Sequence, residues 1–148
     1  MRRKNLSGET CPIARTLDVI GDWWSLLIVR DALRGMSRFS EFQKSLGVSK
    51  NILTRRLRTL VEQGVLEQVP AADGSAYQDY RLTEKGRRLF YVLVALGQWG
   101  NENLERPAGQ PRSRFVDREH LQPIQRLEVH AADGRLLKPG DTMLMRID

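Results

Sequence analysis

Ser49-Lys50-Asn51-Ile52-Leu53-Thr54-Arg55-Arg56-Leu57-Arg58-Thr59-Leu60-Val61-Glu62-Gln63-Gly64 reads as one capped helix with two unlike faces. Serine suits the cap, because its hydroxyl oxygen can accept an amide proton left unpaired at a helix start. Glycine suits the stop, because it tolerates the left-handed turn that commonly ends a helix. A helix over Lys50–Gln63 is therefore predicted. At helical periodicity Ile52, Leu53, Leu57, Leu60 and Val61 gather on one side, and Asn51, Thr54, Arg55 and Arg58 on the other. The second set has the chemistry of base readout in a major groove. Arginine offers a fork to guanine, asparagine one to adenine, and the threonine methyl can meet thymine. Ser49 and Lys50 sit where backbone N–H groups and a cation favour phosphate. Lys50 and Arg56 lie nearer the apolar edge and are assigned to phosphate or to internal ion pairing. The competing reading is an amphipathic helix with an ordinary solvated face.

Working backwards, Ser40 is expected to cap a short helix from Glu41 to Leu46, with Phe42 and Leu46 inward and Gly47 as its stop. Asp22 is expected to cap a largely buried helix from Trp23 to about Leu33, ended by Gly35. A first helix starts at Pro12, a residue suited to the first helical position, and Gly21 ends it. Helix, short turn, helix, packed on a preceding helix, is the helix-turn-helix arrangement.

Working forwards, Val65–Val69 and Tyr77–Leu82 read as strands around the turn pair Asp73-Gly74. A hairpin directly after a helix-turn-helix is a wing. Its loop, Ala71 to Ala76, carries only Asp73 as a charge, so Arg81 at its base is the better backbone contact. Lys85, Arg87 and Arg88 could also reach phosphate. Thr83 is expected to cap one long helix through about Leu104, with Leu89, Val92, Leu93, Leu96 and Trp99 as an apolar stripe. Such a stripe exceeds what one small core covers, which favours a dimer. Glu105 to Arg114, with Pro107, Gly109 and Pro111, reads as a linker. Beyond it Leu127, Val129 and Ala131 alternate, Asp133-Gly134 marks a turn before Arg135-Leu136-Leu137, and Thr142–Ile147 reads as a further short strand. The expected fold class is mainly α with a β wing: a winged helix-turn-helix, a long C-terminal dimerisation helix and a small β extension. The expected division is residues 1–104, a linker over 105–114, and an extension over 115–148.

Composition narrows the function. The 148 residues carry a formal net charge of +6, with 41% hydrophobic and 28% charged residues. The excess concentrates in residues 35–65, which hold six basic and two acidic side chains. A local basic excess suits a polyanion. No apolar run approaches the ~18 residues of a membrane span. No apolar stretch follows the basic start Met1-Arg2-Arg3-Lys4, so a secretory signal is not expected and the cytoplasm is the default compartment. No phosphate-binding glycine loop, zinc-protease motif or nucleophile–base constellation is visible, and an enzyme is not expected. Two isolated histidines, His120 and His130, do not suggest a metal site, and no cofactor is expected.

Cys11-Pro12, Leu17-Asp18-Val19-Ile20-Gly21-Asp22-Trp23-Trp24-Ser25-Leu26-Leu27-Ile28-Val29-Arg30-Asp31 and Arg38-Phe39-Ser40-Glu41-Phe42 resemble the HxlR family of bacterial transcriptional regulators. Leu53-Thr54-Arg55-Arg56-Leu57-Arg58-Thr59-Leu60, Gly64 and Tyr80-Arg81-Leu82-Thr83-Glu84-Lys85-Gly86 continue the resemblance in order, over roughly Cys11 to Gly100. It implies a winged helix-turn-helix related to the MarR group. It also implies a homodimer formed by the first and last helices, and binding to a palindromic operator in double-stranded DNA, most often as a repressor. On that resemblance Ser49, Asn51, Thr54, Arg55 and Arg58 lie on the DNA-reading helix. The family commonly has Gly-Lys where this chain has Asp22-Trp23, and the hairpin is short of the family's prolines and basic groups. The tail is similar to a β extension of some members but lacks cysteines.

Cys11, the single cysteine, precedes Pro12 and so falls at a helix N-cap, where partial positive charge favours a thiolate. Arg15 could add to this. The resemblance implies a redox or electrophile sensor here, as in some relatives; a small residue at the dimer interface is the plainer reading. The expected function is a DNA-binding regulator modulated by oxidation at Cys11 or by a small effector. The alternative is a redox or small-molecule sensor acting mainly through protein–protein contacts.

Overall fold

The computed structural model describes residues 4–147, and the basic start Met1-Arg2-Arg3 lies outside them. The chain divides into two compact units, one up to Leu93 and one from Val94.

The first unit opens with α1 (Pro12–Ile20), which has the limits read from Pro12 and Gly21; the Gly21 amide donates to the Leu17 carbonyl at 2.8 Å. Helix α2 (Ser25–Leu33) starts two residues later than Trp23. Asp22 still terminates it, accepting from the amides of Trp24 (2.8 Å) and Ser25 (2.9 Å), but Trp23 belongs to the turn that carries it. Helix α3 (Phe39–Leu46) includes Ser40 instead of being capped by it. Glu41 does that work, its carboxylate accepting from the amides of Arg38 at 3.0 Å and Ser37 at 3.2 Å. Helix α4 (Lys50–Glu62) follows, with the Ser49 hydroxyl accepting from the Ile52 amide at 3.3 Å. Gly64, at φ 71°, ends it in the left-handed region where a Cβ is costly.

Strands β1 (Leu66–Pro70) and β2 (Gln78–Leu82) pair antiparallel, with Leu66 opposite Leu82 and Pro70 opposite Gln78. The Tyr80 amide donates to the Ser37 carbonyl at 2.8 Å, fastening the wing to the connection between α2 and α3. The core between these elements is Ile28, Val29, Phe42, Leu53, Leu57, Leu60 and Leu66, each under 2% exposed. Apolar groups from three helices and a strand leave water together there, which is the main stabilising term for a unit of this size.

The expected single long helix is two segments. Thr83 caps α5 (Glu84–Arg87), its hydroxyl accepting from the Gly86 amide at 3.0 Å, and α6 (Phe90–Asn103) follows. Between them the amides of Leu89 and Tyr91 bond three residues back instead of four, to the carbonyls of Gly86 and Arg88. That tighter winding interrupts the regular α ladder. Gly86 lies against Val65, the residue that leads into β1: a Cβ there would come within 2.1 Å of the Val65 carbonyl oxygen.

In the second unit the later turns of α6 carry the extension. The Gln98 side chain donates to the Gln125 carbonyl (3.0 Å) and accepts from the Leu127 amide (2.7 Å). Asn101 donates to the Ser113 carbonyl at 2.9 Å, and Arg126 pairs with Glu102 at 3.1 Å. Strands β3 (Val129–His130) and β4 (Leu136–Leu137) form the hairpin read from Asp133-Gly134. Thr142–Ile147 is not the further strand expected: it follows a 3-10 turn at Pro139–Asp141 and belongs to neither sheet. Among the described residues no helix is long and apolar enough to cross a membrane.

Candidate nucleic-acid interface

Leu53, Leu57 and Leu60 fasten α4 to the core at 0–1% exposure. That anchoring fixes the helix's rotation, and Asn51, Thr54, Arg55 and Arg58 are all exposed on the side away from it. Ser49 and Lys50 are exposed at its N-terminus. Among the described residues no carboxylate lies within ion-pair distance of Lys50, Arg55 or Arg58, so three cations at this surface are not neutralised internally. Ile52, expected on the apolar side, is 39% exposed, because it sits at the margin where α4 turns away from the core.

Arg56 behaves differently from its neighbour. It is half-buried, and its Nε lies 3.6 Å from the Asp22 carboxylate, an ion pair too long for a hydrogen bond. Of the two roles left open for Arg56, internal pairing is the one present. The Asp22-Trp23 departure from the usual Gly-Lys thus has a structural use. Asp22 terminates α2, accepts from the Ser25 hydroxyl, and faces Arg56 of α4. Burial pushes its carboxyl up, but the Ser25 hydroxyl and amide, the Trp24 amide and Arg56 outweigh that and hold it below the usual range. Trp23 stays in solvent at 84% exposure.

The main residue that sequence reading missed grips the wing from outside it. Arg38, just before α3, donates from Nη2 to Asp73 (2.7 Å) at the wing tip and from Nε to Asp79 (2.6 Å) on β2. Its guanidinium also lies 5.5 Å from the Tyr77 ring centroid. One side chain therefore buckles the wing loop to the start of α3. Asp73 is held down to about 2, first by the Ser75 amide and hydroxyl and then by Arg38. The lone acid in the loop, odd for a phosphate-facing wing, is committed to this clasp. Arg81, at the hairpin base, is exposed on β2. The Lys85 ammonium donates to the Gln63 carbonyl at 2.6 Å, which draws it toward the end of α4.

A second missed contact supports α3. Asp31 of α2 is fully buried and accepts from the Ser45 hydroxyl (2.6 Å) and from Arg30 Nε (2.9 Å). Its place on the buried side of the second helix, one turn beyond Leu27 and Ile28, was the available signal.

Cys11 is half-buried at the N-cap of α1. The Arg15 guanidinium is directed to the carbonyls of Glu9 and Thr10, each at 3.4 Å. Among the described residues no three of His, Cys, Asp and Glu gather as a metal site.

The HxlR-like helix-turn-helix family profile matches residues 19–108, well over half of the sequence. The chain belongs to the HxlR family. An uncharacterised HTH-type transcriptional regulator of Mycobacterium bovis, Mb3122, is 44% identical over 99 residues, covering 67% of this chain and 63% of the relative's own length. This HxlR chain thus spans less than two thirds of that relative. The crystal structure of PA1607, described as a candidate transcription factor, is 53% identical with a TM-score of 0.89 and covers 97% of this chain and 100% of that one. HypR, a redox regulator solved in its oxidised form, is 31% identical with a TM-score of 0.58 over 65% of this chain and 100% of its own. The matched region of this HxlR chain is accordingly of the helix-turn-helix type.

Proposed function

We propose that this HxlR family chain is a homodimeric repressor that reads a palindromic operator with α4. The observation that carries the reading is the exposed row Asn51, Thr54, Arg55 and Arg58 on a helix fixed by three buried leucines. Arg55 and Arg58 supply forks for guanine, Asn51 one for adenine, and Thr54 a methyl contact. Ser49 and Lys50 take a phosphate at the helix N-terminus, and Arg81 a second from the wing base. Exposed apolar side chains on α1 (Ile13, Leu17) and on α6 (Leu96, Trp99) support the second copy. Apolar surface of this kind marks an interaction site on a soluble domain. Two copies would set α4 into half-sites about one helical turn apart, ~34 Å. Cys11 is the proposed control point, supported by its place at a helix start and by the likeness to the redox regulator HypR.

The test is fluorescence anisotropy on duplexes selected by the parent from a random pool. Each bidentate contact discriminates by about 1–3 kcal/mol. Arg55→Ala with Arg58→Ala should therefore cost tenfold or more in operator affinity and level the preference among duplexes. Unaltered selectivity would remove α4 from the reading.

A further inference from the structure

Two kinds of arginine follow α6. Arg126 and Arg135 are paired, with Glu102 at 3.1 Å and Asp133 at 2.9 Å. Arg106, Arg112, Arg114 and Arg118 are exposed, and among the described residues none has a carboxylate within ion-pair distance. Asp117, the acid in their midst, is turned to backbone amides instead, those of His120 (2.6 Å) and Gln122 (3.1 Å). Four arginines thus share a short exposed segment, flanked by the exposed acids Glu105 and Glu119, and none of the four is in an ion pair with an acid.

The segment is also held in place. The Ser113 carbonyl accepts from Asn101 of α6 at 2.9 Å. The Phe115 ring lies over Gly97 of the same helix, 3.6 Å from where a Cβ would stand, and the Phe115 carbonyl accepts from the Ile124 amide at 3.2 Å. Fastening falls on the Ser113 carbonyl and on Phe115 and leaves the Arg112 and Arg114 side chains in solvent. A backbone already ordered loses less entropy when its side chains bind.

We propose that Arg112 and Arg114, in the segment that also carries Arg106 and Arg118, form a second phosphate-binding surface for duplex backbone. The proposal rests on the DNA-binding reading above. It supplies affinity without sequence choice, because phosphate contacts position a protein but carry no base information.

The full chain is titrated with a labelled duplex of mixed sequence, ~30 base pairs long, across ~50–200 mM salt. Each phosphate neutralised contributes about 0.9 to the slope of log affinity against log salt. With two copies on the duplex, Arg112→Ala with Arg114→Ala removes four phosphate contacts and should therefore lower that slope by about 3.6, so that the affinity lost over this fourfold range shrinks about a hundredfold. Arg112→Lys with Arg114→Lys should keep the parent slope. Arg112→Gln with Arg114→Gln should repeat the alanine result, which separates lost charge from lost fold. Preference among selected duplexes should stay as in the parent. A parent slope retained by the alanine and glutamine variants overturns the proposal while leaving α4 as the reading helix. So does a loss confined to binding of phosphatidylserine vesicles. A parent that binds no duplex in a salt-dependent way overturns the DNA-binding reading and this proposal together.

Discussion

Gly86→Ala sets two effects against each other, and the geometry says which prevails. Alanine is a better helix former than glycine by about 1 kcal/mol, so from propensity alone the change should stabilise α5. The added methyl, however, would stand 2.1 Å from the Val65 carbonyl oxygen and 3.0 Å from Leu82 Cδ2. Backbone cannot yield as a side-chain end can. Relieving the overlap means lifting α5 from β1 at an overpacking cost of about 1–3 kcal/mol. The same carbonyl accepts from the Thr83 amide (3.1 Å) and the Thr83 hydroxyl (3.2 Å). Lengthening those bonds costs about 0.5–1.5 kcal/mol each. After the helix gain is deducted, a net loss of about 1–5 kcal/mol is expected. For a chain of this size that is a fall of about 2–20 °C in Tm. The assay is thermal and urea unfolding of parent and variant followed by circular dichroism. A variant as stable as the parent, or more so, would refute the close approach of α5 to β1 and with it the account of how the wing is rooted.

Three further outcomes are expected. Ser45→Ala should cost about 1–2 kcal/mol, below the usual value for a hydrogen bond to a charged group because water can reach the Ser45 side; a double-mutant cycle with Asp31→Ala that shows coupling under ~0.5 kcal/mol would dismiss the α2–α3 contact. The Asp73 carboxyl, depressed to about 2 in the folded chain against 3.8 for a free one, keeps its clasp intact above about pH 3.8 and loses it as pH falls toward 2. Carboxyl titration by NMR should place Asp73 near 2 in the parent and part-way back toward 3.8 in Arg38→Ala, because the Ser75 contacts remain; no movement would deny the clasp. Oxidation with diamide should change duplex affinity in the parent and leave Cys11→Ser unaffected, and an equal response in both would end the case for Cys11.

Much of this fold is written locally. The limits of α1 follow from Pro12 and Gly21, and the start of α4 from Ser49, because caps act within one turn of the chain. The hairpins follow from Asp73-Gly74 and Asp133-Gly134 for the same reason. The exposed row on α4 was legible from spacing, since the leucines fix one face and so define the other. Arg38 was not legible, because its partners Asp73 and Asp79 lie 35 and 41 residues away and meet it only after the wing folds back. The break between α5 and α6 was hidden as well. Nothing in Arg88-Leu89 opposes helix, and the interruption appears only in which carbonyls their neighbours' amides reach. Thr142–Ile147 holds the short apolar run of a strand, yet a run cannot supply a neighbouring strand to pair with.

The buckle at Arg38 has a mechanical consequence. Wing and helix-turn-helix cannot hinge against each other unless two charge-assisted bonds from a single guanidinium are broken at once. The block they form is therefore stiff. If two such copies read DNA as proposed, an effector that leaves the buckle shut would act by altering the pitch or separation of the two blocks, measured as a change in the preferred gap between half-sites and not in the bases each one selects.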